Sequence, residues 1–356
     1  MKYFLLFCRF SVGALFIFSG LIKLNDPVGT QIKMEEYFEV FGTHFMVPFA
    51  LFVAVFMCVA EVALGFALLF YYRMKLTATA LLGLIVFFTF LTFYSAFFNK
   101  VTDCGCFGDF IKLKPWTSFW KDIALTILIL PLYVHRKTLK SNFNNINGDI
   151  IVFSGTIASL VFAIYCIQFL SVWDFRAYKV GANIPLLMQP SCAAKFEYKM
   201  IKNGKEFTFN SYPTDTTFQF KDMVQTNIEC RPKITDYSLW NENGDYTQAS
   251  FEGKKLFVVI LNVNKMNTEH LKEIKTLTQN LKNNNIECAF ITSSDKESFD
   301  KFMQTSEFKL PYYFADAVVI KTMIRSIPGI VYLENGVVKG KWHHNAVPKT
   351  EDVIMY

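Results

Sequence analysis

The chain has 356 residues, of which 52% are hydrophobic and 19% charged, with 39 phenylalanines and a formal net charge of +6. That is too apolar for an ordinary soluble protein, and the apolar residues crowd into the first half of the chain. The positive charge is scattered, with no basic block interleaved with aromatics, so nucleic acid is not an expected partner, and no repeat of about 20–50 residues marks a solenoid.

Five stretches are long enough to cross a bilayer: Tyr3–Ile22, Phe45–Tyr72, Leu76–Phe98, Trp116–Val134 and Ile150–Trp173. About 20 mostly apolar residues suffice for a span. Arg9 interrupts the first run and no small-residue cleavage site follows it, so it reads as a true span rather than a signal peptide. The fourth carries Lys121 and Asp122 in its first turns and Pro131 near its end. Lys23–His44 reads as an acidic loop between the first two spans, and His135–Asn147 as a polar linker ahead of the fifth.

Loop charge sets the expected orientation. The turn Arg73-Met74-Lys75 and the segment His135-Arg136-Lys137 with Lys140 are basic and free of acid, which the positive-inside rule places in the cytoplasm. The N-terminus is then cytoplasmic, and both the Asn99–Pro115 loop and everything after Trp173 face outward. In a bacterium that means the inner membrane with a periplasmic C-terminal part, a compartment that oxidises thiols.

Two charges stand out inside the spans. At about 1.5 Å per residue, Arg9 lies about 10 Å and Glu61 about 16 Å from the cytoplasmic ends of their helices. Intramembrane charges are costly and are paired or functional. The pair reads either as an ion pair joining spans one and two, or as a setting in which Glu61 serves as a proton or quinone-site residue.

The outward loop contains "DCGCFGD", Asp103–Asp109, with Cys104 and Cys106 separated by one glycine. A disulfide between residues i and i+2 closes a very small ring, departs from relaxed geometry and is easily reduced. Gly105 and Gly108 permit such a tight backbone. Lys100, Lys112 and Lys114 could lower the thiol pKa, opposed by Asp103 and Asp109. A structural loop bridge is the alternative, and a metal clip would need His44 as a third ligand.

"RFSVGALFIFSGLIKLNDP" (Arg9–Pro27), the glutamate of span two and "DCGCFGD" ahead of a fourth span together resemble the DoxX/MauE membrane family over roughly Met1–Val134. The resemblance implies a four-helix redox-type membrane domain with Cys104 and Cys106 in the family's cysteine positions. It also implies a separate thioredoxin-like or other envelope thiol protein as partner.

Beyond the fifth span, "IKNGKEF" signals a hairpin, and Cys192 and Cys230 near the ends of a β-rich piece are expected to form a disulfide; Cys192 reads alternatively as a free thiol. From Ile234 a β-α-β order ends in "SIPGIVYLENGVVKGKW". Over roughly Ile234–Trp342 this resembles the redoxin-like branch of the thioredoxin fold, with Pro328 in the place of that fold's cis-proline. The family's Cys-x-x-Cys segment is here Asn264-Lys265-Met266-Asn267, without cysteine. The terminal "HHNAVPKTEDVIMY" is expected to give only a frayed turn. Cys166 and Cys288 read as packing residues.

The expected fold class is therefore a membrane α-helical bundle, four helices of the DoxX/MauE type plus a fifth transmembrane helix, followed by an α/β thioredoxin-like domain. Its parts are a four-span domain (1–134), a cytoplasmic linker (135–149), the fifth span (150–173), a β-rich linker (174–232) and the α/β domain (233–356). The expected function is thiol–disulfide exchange at Cys104 and Cys106, supported by Asp109, Glu61 and Arg9, with an envelope thiol protein as partner and a bilayer quinone as sink. The alternative is a membrane-anchored binding protein that docks a partner through Pro328, Lys265 and Asn267.

Overall fold

The computed structural model describes residues 2–101, 105–139 and 145–355, and side chains are described throughout these except at 145–147. Two compact units divide the chain, Met1–Phe175 and Arg176–Tyr356.

The first unit is helical: α1 (Lys2–Asn25), α2 (Pro27–Val40), α3 (Ala50–Leu69), α4 (Met74–Phe98), α5 (Pro115–Val134) and α6 (Asn145–Phe169). Five of its helices are long and apolar enough to cross a membrane. The unit is thus the membrane-embedded part of a multi-pass protein. Leu5, Val12, Phe16, Leu68, Leu81 and Ile129 form its buried core, while Phe7, Phe52, Phe56, Phe90, Phe97 and Phe153 stay exposed on the helix surfaces. An exposed apolar surface of this extent is stable where lipid covers it.

Glycines set the contact between α1 and α3. A Cβ on Gly20 would lie 2.8 Å from the Cys58 carbonyl oxygen, and one on Gly65 would lie 2.9 Å from the Gly13 carbonyl oxygen. The two backbones therefore touch, as small residues allow between membrane helices. Gly20→Ala should cost about 1–3 kcal/mol, because the new methyl meets backbone that cannot turn aside. Thermal unfolding of the purified protein in detergent checks this, and an unchanged midpoint would show that the helices can separate freely.

One segment differs from the sequence reading. Lys23–His44 is not a loop: α2 occupies most of it, and a 3-10 turn, His44–Phe49, leads into α3. The start signal was present, since the Asp26 side chain accepts from Gly29 N at 2.9 Å and Pro27 opens the helix. Tyr37 is buried with Leu91 and Val101, and its hydroxyl lies 3.1 Å from Ser95 Oγ. At the far end of the unit, Asn25 clamps the main chain of Trp173: Nδ2 donates to its carbonyl at 2.7 Å and Oδ1 accepts from its N–H at 3.0 Å. Helix α6 begins at Asn145, inside the stretch read as a polar linker.

The second unit opens with a short helix, α7 (Ile184–Leu187), and a three-stranded antiparallel sheet of β1 (Phe196–Lys202), β2 (Lys205–Phe209) and β3 (Gln219–Gln225) in the order β2-β1-β3. Asn203 and Gly204 both take positive φ, 50° and 72°, in the turn joining β1 to β2. A disulfide between Cys192 and Cys230, with Cα atoms 5.1 Å apart, closes the base of this sheet.

The α/β part contains β4 (Trp240–Asn241), β5 (Gly244–Asp245), β6 (Lys254–Ile260), α8 (Leu271–Lys282), β7 (Glu287–Thr292), α9 (Lys296–Ser306), β8 (Tyr312–Phe314), α10 (Ala317–Met323), β9 (Gly329–Glu334), β10 (Val337–His343) and α11 (Thr350–Ile354). Its sheet runs β10-β9-β6-β7-β8-β4-β5, with β6, β7 and β8 parallel and the other pairings antiparallel. Leu256, Val258 and Ile260 of the central strand are fully buried, together with Ile274 and Leu281 of α8 and Phe299 of α9. Near-continuous apolar strands of this kind belong to sheets covered on both faces. The C-terminus departs from the expected frayed turn, because α11 forms and buries Val353 in the same core. Helix α10 was not read from the sequence; Asp316, accepting from Val318 N at 2.7 Å, was its start signal.

Candidate functional site

Residues 105–110 of the loop between α4 and α5 lie against α1, with Phe107 and Phe110 packed on the ring of Phe18. Cys104 lies outside the described residues, while Cys106 is described and carries a free thiol. Gly105 and Gly108 on either side adopt φ of +64° and +52°, a region that glycine enters without strain. Cys106 lines a cavity of about 60 Å³ between the helices, bounded by Ser19, Lys23, Glu61, Thr92 and Lys121 on its polar side and by Met34, Met57, Phe88 and Leu91 on its apolar side. At about 10–15 Å³ per water, that is room for about four to six water molecules. Cys58 also lines it.

Charge is organised around this cavity in pairs. Glu61 is paired with Lys23. The Ser19 hydroxyl lies 3.0 Å from Glu61 Oε2 and 3.0 Å from the Cys106 carbonyl, so its one proton is shared between the buried carboxylate and the cysteine loop. On α5, Lys121 Nζ lies 2.8 Å from Asp122 Oδ1, and Thr92 Oγ1 of α4 donates to Asp122 Oδ2 at 3.0 Å. Lys121 also sits 5.2 Å from the ring centroid of Phe107, the residue after Cys106.

Two expectations are corrected by this arrangement. Arg9 is not the partner of Glu61. With Gly13 against Gly65 and Leu69, and Gly20 against Cys58 and Val62, the antiparallel register puts Glu61 beside Ser19 and Lys23. The same register sets Arg9 against Tyr71, whose ring centroid is 3.9 Å from the guanidinium carbon. Depth counted from the helix ends missed this because the glycine contact, not the span length, fixes the register. Nor do Lys100, Lys112 and Lys114 supply the charge nearest Cys106. Lys112 instead lies 3.8 Å from Asp109 on the loop surface, and Lys121 and Lys23 are the cations that act on the thiol. Burial pushes the Cys106 thiol above its ordinary pKa; Lys121 and Lys23 pull it down and Asp122 pushes it up.

Residues 1–135 match the family model of the methylamine utilisation protein MauE. The MauE-like segment thus takes in α1 to α5 and the whole cavity, and it ends at the residue following α5. No curated protein matches the chain.

In the second unit, Pro328 follows a cis peptide bond and Lys265 ends a 3-10 turn, Val263–Lys265. The Asn267 N–H donates to the Ile327 carbonyl at 2.9 Å, which ties the segment that follows β6 to the residue before Pro328, just ahead of β9. Ser326 and His344 join them, with Ser326 Oγ 2.9 Å from His344 Nδ1. Cys288 is buried mid-strand and Cys166 is buried in α6. His44 precedes α3, and among the described residues no group of three or more His, Cys, Asp or Glu side chains is placed to hold a metal ion.

Proposed function

We propose that the MauE-like unit is a thiol–disulfide redox module of the bacterial inner membrane, with Cys106 as its working thiol and Cys104 as the second cysteine of the pair. One observation carries this reading: a free cysteine opens on a charge-lined cavity between apolar helices rather than on plain solvent or a fully apolar core. Thiol chemistry needs a site where the thiolate can form and its proton can leave. The basic turns at Arg73–Lys75 and His135–Lys137 support a cytoplasmic N-terminus, with the cysteine loop and the second unit in the periplasm. The disulfide Cys192–Cys230 fits that oxidising side. The electrons pass between an envelope thiol protein and a quinone of the bilayer, and the buried pair Lys23–Glu61, rather than Arg9, attends the site.

The test is thiol trapping in native membranes, with and without a quinone-pool inhibitor, in cells carrying Cys104→Ser or Cys106→Ser. The inhibitor should leave Cys104 and Cys106 more reduced, and either substitution should leave envelope client thiols at least several-fold less oxidised. Clients oxidised as in the unaltered cells would sink the redox reading.

A second reading concerns the α/β unit. Its β-α-β-α-β order and its cis-Pro328 resemble those of a thioredoxin-like domain without the dithiol, and that resemblance supports docking of a partner at Pro328, Lys265 and Asn267. The contact from Asn267 to Ile327 favours it, because it holds Asn267 against the residue that precedes Pro328. Crosslinking from Lys265 in membranes should capture one reproducible partner, and capture of none would argue against docking.

A further inference from the structure

Lys121 lines the cavity with Cys106, and Asp122 is paired with it, two charges that stand in the first turns of the fourth span. We infer that Lys121 and Asp122 are an opposed pair of positioning residues that set the proton equilibrium at Cys106, Lys121 favouring the thiolate and Asp122 the thiol. The inference rests on the thiol–disulfide reading above and assigns the groups that govern it.

Geometry is the ground for it. Lys121 and Cys106 line the same small cavity. The ammonium is held in place on two sides, by Asp122 at 2.8 Å and by the face of Phe107 with its centroid at 5.2 Å. Asp122 is in turn fixed by Thr92 at 3.0 Å and is fully buried. A charge fixed in a partly dehydrated site acts on its neighbour more strongly than a mobile surface lysine does.

The other charged groups around Cys106 have partners of their own. Lys23 of α1 is paired with Glu61 of α3, and Lys33 of α2 lies 3.0 Å from Glu36. Asp109 and Lys112 face each other on the loop itself. Cys58 of α3 and Tyr37 of α2 are the remaining titratable groups on the cavity wall.

The chemistry served is a single exchange. A client thiol gives up its proton, and its thiolate attacks the sulfur bonded to Cys106 in the oxidised module. A bond forms between the client sulfur and that sulfur as the bond to Cys106 Sγ breaks. Cys106 leaves as a thiolate, the form that Lys121 favours, and takes up a proton. No further oxidant is required for this step, since the module's own disulfide accepts the electron pair.

The experiment follows alkylation of Cys106 by iodoacetamide in the reduced full-length protein, read by peptide mass spectrometry as a function of pH. An opposite charge close by moves a pKa by about one unit or more, so Lys121→Met should slow alkylation about tenfold at neutral pH and move the profile to higher pH. Asp122→Asn should speed it several-fold and move the profile the other way. Lys121→Arg, which keeps the charge, should stay near the unaltered rate. Shifts of the same sign in Lys121→Met and Asp122→Asn, or no shift in Asp122→Asn, would overturn the assignment. Alkylation reads the proton equilibrium whether or not clients are oxidised, so failure of the trapping experiment and failure here are separate results.

Discussion

Lys23→Met should destabilise the helical unit by about 3–5 kcal/mol, because it leaves the Glu61 carboxylate buried without its counter-charge. Both side chains are almost fully excluded from solvent, 9% and 2% exposed, so little water stands ready to replace the lost partner. The double variant Lys23→Met with Glu61→Gln should return to within about 1 kcal/mol of the parent, since a neutral pair of similar volume removes the uncompensated charge. Glutamine also keeps an acceptor for the Ser19 hydroxyl. Thermal unfolding of both variants in detergent reads the difference. A single variant as stable as the parent would mean that cavity water solvates Glu61 by itself.

The second large effect is in the other unit. Removing the disulfide with Cys192→Ser and Cys230→Ser should cost about 3–4 kcal/mol, the loop-closure value for cysteines separated by 38 residues. The loss should fall first on the small sheet of β1, β2 and β3, whose strands are largely exposed and contribute little core of their own. Hydrogen exchange by mass spectrometry should show early exchange across Phe196–Gln225 in the variant while β6 and β7 stay protected. Uniform deprotection of the whole unit would instead mean that the disulfide staples the α/β core.

Much of the architecture could be read from local pattern. Each apolar run became a helix, the Asn-Gly pairs at 203–204 and 335–336 became hairpin turns, and Ile274, Leu277 and Leu281 lined the buried face of α8. The longest helix to escape, beside the short α10 and α11, was α2, and the reason is physical. Its surface is mixed rather than striped, so periodicity was silent, and only the Asp26-Pro27 start signal spoke for it.

The site was harder to read. The cysteine loop was visible as a motif, but its charged surroundings depend on interhelical register, which glycine contacts between α1 and α3 determine. Lys23 looked like the first residue of a loop, yet Gly13, Phe16, Gly20 and Lys23 recur at helical spacing on one buried face of α1. Lys121 and Asp122 looked like a blemish on the fourth span. A buried acid beside a base in the first turns of a span is better read as pointing inward, toward whatever polar space the bundle encloses.

The Asn25 amide has a consequence for how the chain is divided. It grips Trp173 through main-chain atoms alone, donating to the carbonyl and accepting from the N–H, so it recognises a position and not a side chain. The place where the polypeptide leaves the membrane-embedded unit, two residues later at Phe175, is therefore dictated by the end of the first helix. An insertion or deletion within α6 would have to be absorbed before Trp173, and the point of departure would stay where Asn25 holds it.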